Sequence, residues 1–166
     1  MMYYAQMRKY DIANGLGIRA TLFVSGCHHH CLGCFNKAYQ DFQYGKPWDS
    51  EAEELFMSYV KNDNVHGVSI LGGEPMQQDA DMPKLLRRIK EETGKSIWLY
   101  SGDTFEVIMK DAHKREILSY CDVLVDGPFI EDLKDLRLRF RGSSNQRIID
   151  VPPSLKENKP ILLNLT

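Results

Sequence analysis

Three closely spaced cysteines are the residues of this sequence with the clearest chemical potential. Cys27, Cys31 and Cys34 lie within one stretch of eight residues, whereas Cys121 stands alone. Three cysteines plus one do not form a disulfide framework, and thiolates are soft ligands that suit zinc and iron–sulfur clusters. The spacing therefore predicts a metal site at the first three cysteines, and Cys121 is predicted to be an ordinary buried thiol.

Two kinds of metal centre are compatible with three cysteines in one loop. A structural zinc ion usually takes four ligands, and His28, His29 or His30 inside the loop could supply the fourth. A four-iron cluster held by three cysteines leaves one iron free of protein ligands, as is needed when a substrate must bind the metal directly. Because the sequence contains no second pair of cysteines or histidines of the kind that zinc fingers use, the spacing favours the iron–sulfur cluster over zinc.

Four short apolar runs are predicted to be the strands that position this loop. They cover residues 20–25, 68–71, 96–100 and 122–126, and they are nearly continuous in apolar residues, which is typical of strands buried on both faces. Helical spacing of apolar residues predicts helices over 52–60, 82–89 and 105–112, with Ser50 and Glu53 as a capping box for the first. Alternating strands and helices indicate an α/β fold with a mostly parallel sheet.

A glycine turn follows each predicted strand. The turns contain Gly26 before Cys27, Gly72 and Gly73 before Glu74, Gly102 after Ser101, and Gly127 after Asp126. Glycine permits close approach of a ligand to the backbone, and ligands of parallel α/β sheets bind at the carboxyl ends of the strands. The turns therefore predict one site along that edge. Glu74 is a candidate ligand-binding residue there, although a carboxylate at this position could instead cap a helix.

Length and charge narrow the class of protein. The chain has 166 residues, about one domain, and a full eight-unit barrel typically needs ~250, so only an open, partial (β/α) barrel can form. A net charge of −2 does not indicate a nucleic-acid-binding surface, and no apolar run approaches the ~20 residues of a membrane helix. The first residues lack the plan of a signal peptide. We therefore expect a cytoplasmic protein with no nucleic-acid or membrane partner.

The motifs after the first two strands resemble those of the radical S-adenosylmethionine enzymes. That family carries Cys-x3-Cys-x2-Cys after its first strand and Gly-Gly-Glu-Pro after its second, which here are Cys27 to Cys34 and residues 72–75. Within the family, the stretches 14–19, 22–27, 123–127 and 141–147 look most like the activases of anaerobic ribonucleoside-triphosphate reductase. The resemblance covers about residues 10–150. Gly33 stands where the family usually has an aromatic residue, and Phe35 follows the third cysteine instead.

The resemblance implies a role for each part of the site. The three cysteines would hold a 4Fe-4S cluster as catalytic and metal-binding residues, and its free iron would bind S-adenosylmethionine. Cofactor contacts are expected from Gly33, Cys34, Phe35, Gly72, Gly73, Glu74 and Ser101. An electron from a donor such as flavodoxin or ferredoxin would cleave the cofactor to a 5′-deoxyadenosyl radical, which would generate a glycyl radical on the large subunit of the reductase. An activase of another glycyl-radical enzyme and a zinc-binding interaction module are the alternatives.

Two further regions are assigned less chemistry. We expect a radical S-adenosylmethionine domain over residues 1–150 and an extended C-terminal tail over 151–166, which contains three prolines. Arg137, Arg139, Arg141 and Arg147 lie in a stretch without acidic residues, from 136 to 149. Such a stretch is either a solvated face or a docking surface for the reductase.

Overall fold

The computed structural model of the chain describes residues 1–34 and 37–165. Its strands are β1 (Tyr3–Asp11), β2 (Arg19–Val24), β3 (Lys46–Pro47), β4 (Gly67–Gly72), β5 (Ser96–Tyr100), β6 (Val123–Asp126) and β7 (Arg147–Asp150). Its α-helices are α1 (Ser50–Val60), α2 (Asp81–Thr93), α3 (Phe105–Ile108), α4 (Ala112–Ser119) and α5 (Val151–Glu157). Short 3-10 helices cover Lys37–Gln40, Pro75–Gln77 and Glu131–Leu133.

Within the described residues, seven strands form one mixed sheet in the order β3-β1-β2-β4-β5-β6-β7. The four predicted strands are its parallel centre, with Phe23 opposite Leu71 and Leu99 opposite Leu124. The outer strands β1, β3 and β7 pair antiparallel with their neighbours. These three strands were not predicted, because β1 mixes polar with apolar residues and is only partly buried, β3 has two residues, and β7 has only two buried apolar residues. The predicted α/β fold is confirmed, and the sheet is parallel only at its centre.

All five α-helices pack on one face of the sheet. Together with alternate strand residues such as Leu22, Ile70 and Leu99, they form the main apolar core, in which Phe56 and Leu86 are fully buried. The opposite face carries a much smaller cluster of Trp98, Val123, Val125 and Ile148. Because successive strand residues point to opposite faces, the two clusters use alternate positions of the same strands. Among the described residues, no α-helix covers this second face. Over it lies the segment of residues 128–146, the covering segment, which is irregular apart from the 3-10 helix Glu131–Leu133.

Two predicted elements differ from the structure. Of the helix predicted over 105–112, only Phe105–Ile108 forms α3, and α4 begins at Ala112. The extended Asp111 is the N-cap of α4, and its side chain accepts a hydrogen bond from the Lys114 N–H. The cap of α1 is Asp49, which accepts from the Ala52 N–H at 2.8 Å, and not Ser50.

The C-terminal tail is only partly extended. Residues Val151–Glu157 form α5, so the predicted extended form is wrong for the first half of this segment. Pro152 and Pro153 lie in the first turn of that helix, where the missing N–H groups have no intrahelical partner to lose. The chain then returns along β7, where Leu162 pairs with Ile149. The division at residue 150 stays a prediction. None of the helices in the described part of the chain is long and apolar enough to cross a membrane.

Candidate functional site

A cavity of about 540 Å³ opens at the carboxyl ends of the four parallel strands. Its wall contains seven of the predicted site residues: Cys27, Cys31, Cys34, Gly72, Gly73, Glu74 and Ser101. The volume lies in the range of ~300–1,000 Å³ that is usual for small-molecule sites. The structure therefore brings the cysteine loop and the turns after β4 and β5 together around one cavity.

The cysteine loop is anchored at its start by the neighbouring 3-10 helix. The Gly26 N–H donates to the Tyr39 carbonyl at 2.7 Å, and the Cys27 N–H donates to the Gln40 carbonyl at 3.1 Å. Cys27, Cys31 and Cys34 are free thiols, each partly exposed. Burial raises the pKa of the Cys27 thiol to about 11 and also raises the pKa of Cys31. Thiolates are the metal-binding form, so binding of a cation would release protons here.

The donor set fits an iron–sulfur cluster. Three soft thiols share the cavity wall. Among residues 1–34 and 37–165, no three Cys, His, Asp or Glu side chains converge as the ligands of a single metal ion do. A four-iron cluster requires no such convergence, because each thiolate binds a different iron atom. Cys121 does not line the cavity; it is buried, its thiol donates to the Ile117 carbonyl, and burial raises its pKa. Its predicted place as a buried thiol is confirmed.

Glu74 is fully buried between three loops, and both of its carboxylate oxygens have protein partners. Its Oε1 accepts the Gly102 N–H at 2.6 Å and lies 2.7 Å from His29 Nε2. Its Oε2 accepts the Met76 N–H at 2.9 Å, which caps the 3-10 helix Pro75–Gln77. The capping alternative for Glu74 is therefore present in the structure. A contact of this carboxylate with a cofactor stays a prediction.

Comparison with known proteins decides the family. The family described as 4Fe-4S single cluster domain matches residues 13–149. The anaerobic ribonucleoside-triphosphate reductase-activating protein of Salmonella typhi is 41% identical over 150 residues, which are 87% of this chain and 96% of that protein. The proteins of the same name from Pasteurella multocida and Enterobacteria phage T4 are 40% and 33% identical, each over 89% of this chain and over 96% and 93% of their own lengths. The chain belongs to the family of anaerobic ribonucleoside-triphosphate reductase-activating proteins.

This membership confirms the resemblance to the activases of anaerobic ribonucleoside-triphosphate reductase. The match to a 4Fe-4S domain supports an iron–sulfur cofactor and speaks against the zinc alternative.

Gly72 and Gly73 are required by backbone packing. Gly72 has a φ of +119°, in the region that favours glycine. A Cβ at Gly73 would lie 2.5 Å from the Gly26 carbonyl oxygen and 2.6 Å from the Tyr39 carbonyl oxygen. The turn after β4 therefore touches the backbone of the cysteine loop directly. Any side chain at position 73 would therefore displace that loop.

Gly33 and Asp126 are not on the cavity wall. Gly33 packs against Glu131, whose Oε2 would lie 2.4 Å from a Cβ at position 33. Phe35 lies outside the described residues. Asp126 is buried and turned to other partners: it binds Arg147 at 2.6 Å and accepts the Phe105 N–H at 2.8 Å.

Tyr100 is a candidate binding residue that the sequence analysis missed. Its side chain lines the cavity, and its buried hydroxyl has no hydrogen-bond partner within the described part of the chain. Burial raises its pKa, so the hydroxyl is neutral and can both donate and accept. Buried polar groups normally have partners, and a bound ligand could supply one. As the last residue of an apolar run, Tyr100 gave no signal in the sequence beyond strand propensity.

The covering segment supplies the outer wall of the cavity. Leu136, Leu138, Phe140 and Arg141 from this segment face the cavity. Phe140 has a φ of +65°, and its ring makes an edge contact with Trp98 at 5.3 Å between centroids. The contact of Phe140 with Trp98 thus holds the covering segment on the face of the sheet opposite the α-helices. Nothing in the periodicity of its sequence predicts this position.

The basic stretch is not one continuous surface. Arg147 pairs with the buried Asp126 and with Glu106 at 2.8 Å, and Arg141 donates to the carbonyl of Gln146. Arg137 and Arg139 remain exposed, and Arg137 pairs with Asp135 at 3.0 Å. The acidic partners come from outside the stretch, so the absence of acidic residues within it did not predict a free basic face. Docking by Arg137 and Arg139 stays a prediction.

Proposed function

We propose that the protein activates an anaerobic ribonucleoside-triphosphate reductase by radical S-adenosylmethionine chemistry in this cavity. The observation that carries the proposal is that three free thiols and the glycine turn after β4 share one cavity wall. Membership of the activating-protein family, which rests on most of the chain, supports the same conclusion. The four free cysteines fit the reducing cytoplasm in which we propose that it acts.

Cys27, Cys31 and Cys34 on the cavity wall would hold a 4Fe-4S cluster. When reduced by a donor such as flavodoxin or ferredoxin, the cluster would supply the electron for cleavage of S-adenosylmethionine to methionine and a 5′-deoxyadenosyl radical, and that radical would take a hydrogen atom from a glycine of the reductase. The protein contributes binding, orientation and the exclusion of water. The apolar wall formed by Phe23, Leu71 and Val125 serves that last role.

Contacts to S-adenosylmethionine are proposed for groups around the mouth of the sheet. The turn Gly72-Gly73 brings backbone groups to the cavity without side chains in the way. Ser101 and the Tyr100 hydroxyl, which has no partner among the described residues, supply polar groups at the end of β5. Gly33 and Phe35 remain proposed contacts on the strength of the motif alone.

The proposed fold type is the open, partial (β/α) barrel of the radical S-adenosylmethionine enzymes. Its support is the asymmetry of the sheet, with α-helices on one face and the cavity on the other. The covering segment shields one side of the cavity and leaves its mouth accessible to a protein partner.

The mouth of the cavity is the proposed docking surface for the reductase. Leu32 in the cysteine loop is 80% exposed, and Leu136 in the covering segment is 85% exposed. Both belong to segments that line the cavity, so the reductase loop that carries the reacting glycine would meet an apolar rim. Arg137 and Arg139, beside Leu136, would add electrostatic attraction, which mainly raises the rate of encounter.

The test is anaerobic reconstitution followed by activation of the reductase. Protein loaded with iron and sulfide is expected to contain four irons, to convert S-adenosylmethionine to 5′-deoxyadenosine, and to give a glycyl radical signal in electron paramagnetic resonance when the reductase is added. Cys34→Ala should abolish all activity, and Cys121→Ala should retain it. Zinc in place of iron would overturn the assignment of an iron–sulfur cluster. Cleavage of S-adenosylmethionine without a radical on the reductase would overturn the assignment of the reductase as the partner.

A further inference from the structure

Three adjacent histidines in the cysteine loop have different surroundings. His28 and His30 are exposed; the His28 ring packs 4.7 Å from Phe42, and His30 Nδ1 lies 3.0 Å from the Gln40 side chain. His29 points inward, with its side chain 20% exposed, and Nε2 lies 2.7 Å from Glu74 Oε1. Only the middle histidine of the run therefore reaches the ends of the neighbouring strands.

Glu74 connects that histidine to two further loops. The same Oε1 atom accepts the Gly102 N–H after β5, and the other oxygen accepts the Met76 N–H after β4. The His29 ring lies directly on Gly102, where a Cβ would be 2.7 Å from His29 Cδ2. Asp103 Oδ1 lies 3.6 Å from His29 Nε2, and its other oxygen pairs with Lys114 at 2.7 Å. One buried carboxylate thus joins the loops that follow β2, β4 and β5.

The cysteine loop also makes hydrogen bonds through its backbone and through two cysteine sulfurs. The His28 N–H donates to the Gln77 side chain at 2.7 Å. The Cys31 sulfur has a hydrogen bond with the backbone of Phe129, and the Cys31 carbonyl accepts the Cys34 N–H within the loop. The His29 N–H donates to Cys27 Sγ at 3.4 Å. A shift of residue 29 would therefore change a hydrogen bond to a predicted cluster ligand, and such bonds help to set the reduction potential of iron–sulfur clusters.

We propose that His29 is a positioning residue that fastens the cysteine loop to the ends of β4 and β5 through Glu74. The inference rests on the proposed function, because the loop it holds is the one proposed to bind the cluster. Loss of the imidazole leaves Glu74 buried without its side-chain partner and frees the centre of the loop. The ligands then hold iron less firmly, and the bond from the residue 29 N–H to Cys27 weakens.

The experiment compares substitutions within the histidine run. His29→Ala removes the link, and His29→Gln restores a nitrogen near the position of Nε2. His28→Ala and His30→Asn are matched controls, since each removes an imidazole that does not reach Glu74, and asparagine tolerates the φ of +50° at position 30. All variants are reconstituted anaerobically. The readouts are the rate of iron release to a chelator and the midpoint potential of the cluster, followed by electron paramagnetic resonance.

We expect His29→Ala to release iron at least tenfold faster than wild type and to titrate at a more negative potential. His29→Gln should recover most of both properties, and the two controls should match wild type. Equal behaviour of His29→Ala and His28→Ala would overturn the inference, and so would a glutamine variant no better than alanine. If His29→Ala does not fold, His29→Asn, whose shorter amide does not reach Glu74, takes its place with the same expected losses.

The readouts separate this inference from the proposed function. If wild type binds no iron–sulfur cluster, the proposed function fails. If wild type holds a cluster and cleaves S-adenosylmethionine while His29→Ala behaves like the controls, only the role of His29 is wrong.

Discussion

The two faces of the central sheet are built on different principles. The helix-covered face is a continuous apolar core of regular elements, in which residues such as Leu86 and Ile89 are fully buried. The opposite face combines a small apolar cluster with a cavity and with a covering segment in which Phe140 has a positive φ. It also carries the Tyr100 hydroxyl, which has no partner among residues 1–34 and 37–165. Strain and unsatisfied groups commonly occur at functional sites, where the rest of the fold must compensate. The helix-covered face therefore stabilises the fold, and the cavity face lowers its stability.

The largest expected difference between the faces is in stability. Leu86→Ala on the helix-covered face removes a fully buried side chain and should lower the free energy of unfolding by about 2–5 kcal/mol. Cys34→Ala on the cavity face removes a partly exposed thiol and should change the stability of the cluster-free protein by about 0.5 kcal/mol or less. Denaturant unfolding of both cluster-free variants measures the contrast. Equal losses would mean that the cysteine loop is part of the stabilising core.

The next effect concerns the basic stretch, residues 136–149. Arg147→Met leaves Asp126 buried without its ion-pair partner, so we expect the free energy of unfolding to fall by about 2–3 kcal/mol. This loss is smaller than the ~3–5 kcal/mol typical of a fully buried pair, because Arg147 is partly exposed. Arg139→Met should leave stability unchanged and slow activation of the reductase, more at low than at high salt. Thermal unfolding and activation rates at two ionic strengths test the pair. A salt-independent rate for Arg139→Met would remove this arginine from the docking surface.

The sequence predicted the regular parts of the molecule better than the irregular ones, for physical reasons. The parallel strands and helices α1 and α2 bury apolar residues at fixed periods, and these periods are visible in one dimension. Strand β1 was not predicted, because its pairing with β2 makes it a strand and its own residue pattern does not indicate one. The cysteine spacing and the turn at 72–75 indicated the cavity wall because both motifs are local. His29, Tyr100 and the covering segment owe their positions to contacts between distant residues, which no local pattern contains.

A smaller effect distinguishes a glycine that packs against the cysteine loop, Gly73, from one with open space around it, Gly94. Gly73→Ala places a Cβ 2.5 Å from the Gly26 carbonyl oxygen, so the cysteine loop must move, and we expect iron content after reconstitution to fall at least threefold. Gly94→Ala is the control: its Cβ meets nothing within 4 Å, and its φ of +64° costs stability alone, about 1 kcal/mol. Normal iron content in Gly73→Ala would show that the two loops are not coupled.

The smallest effect is the most specific to the cavity face. Tyr100→Phe removes a buried hydroxyl that has no partner among the described residues, so the free protein should become more stable by about 1 kcal/mol. If the hydroxyl contacts S-adenosylmethionine, the same change should weaken cofactor binding to the cluster-loaded protein about tenfold, the usual scale of one hydrogen bond. Calorimetric unfolding and equilibrium binding measure the two quantities on one variant. A gain in stability with weaker binding is expected only where a group is retained for its ligand; a gain with unchanged binding would make Tyr100 a structural residue of the wall.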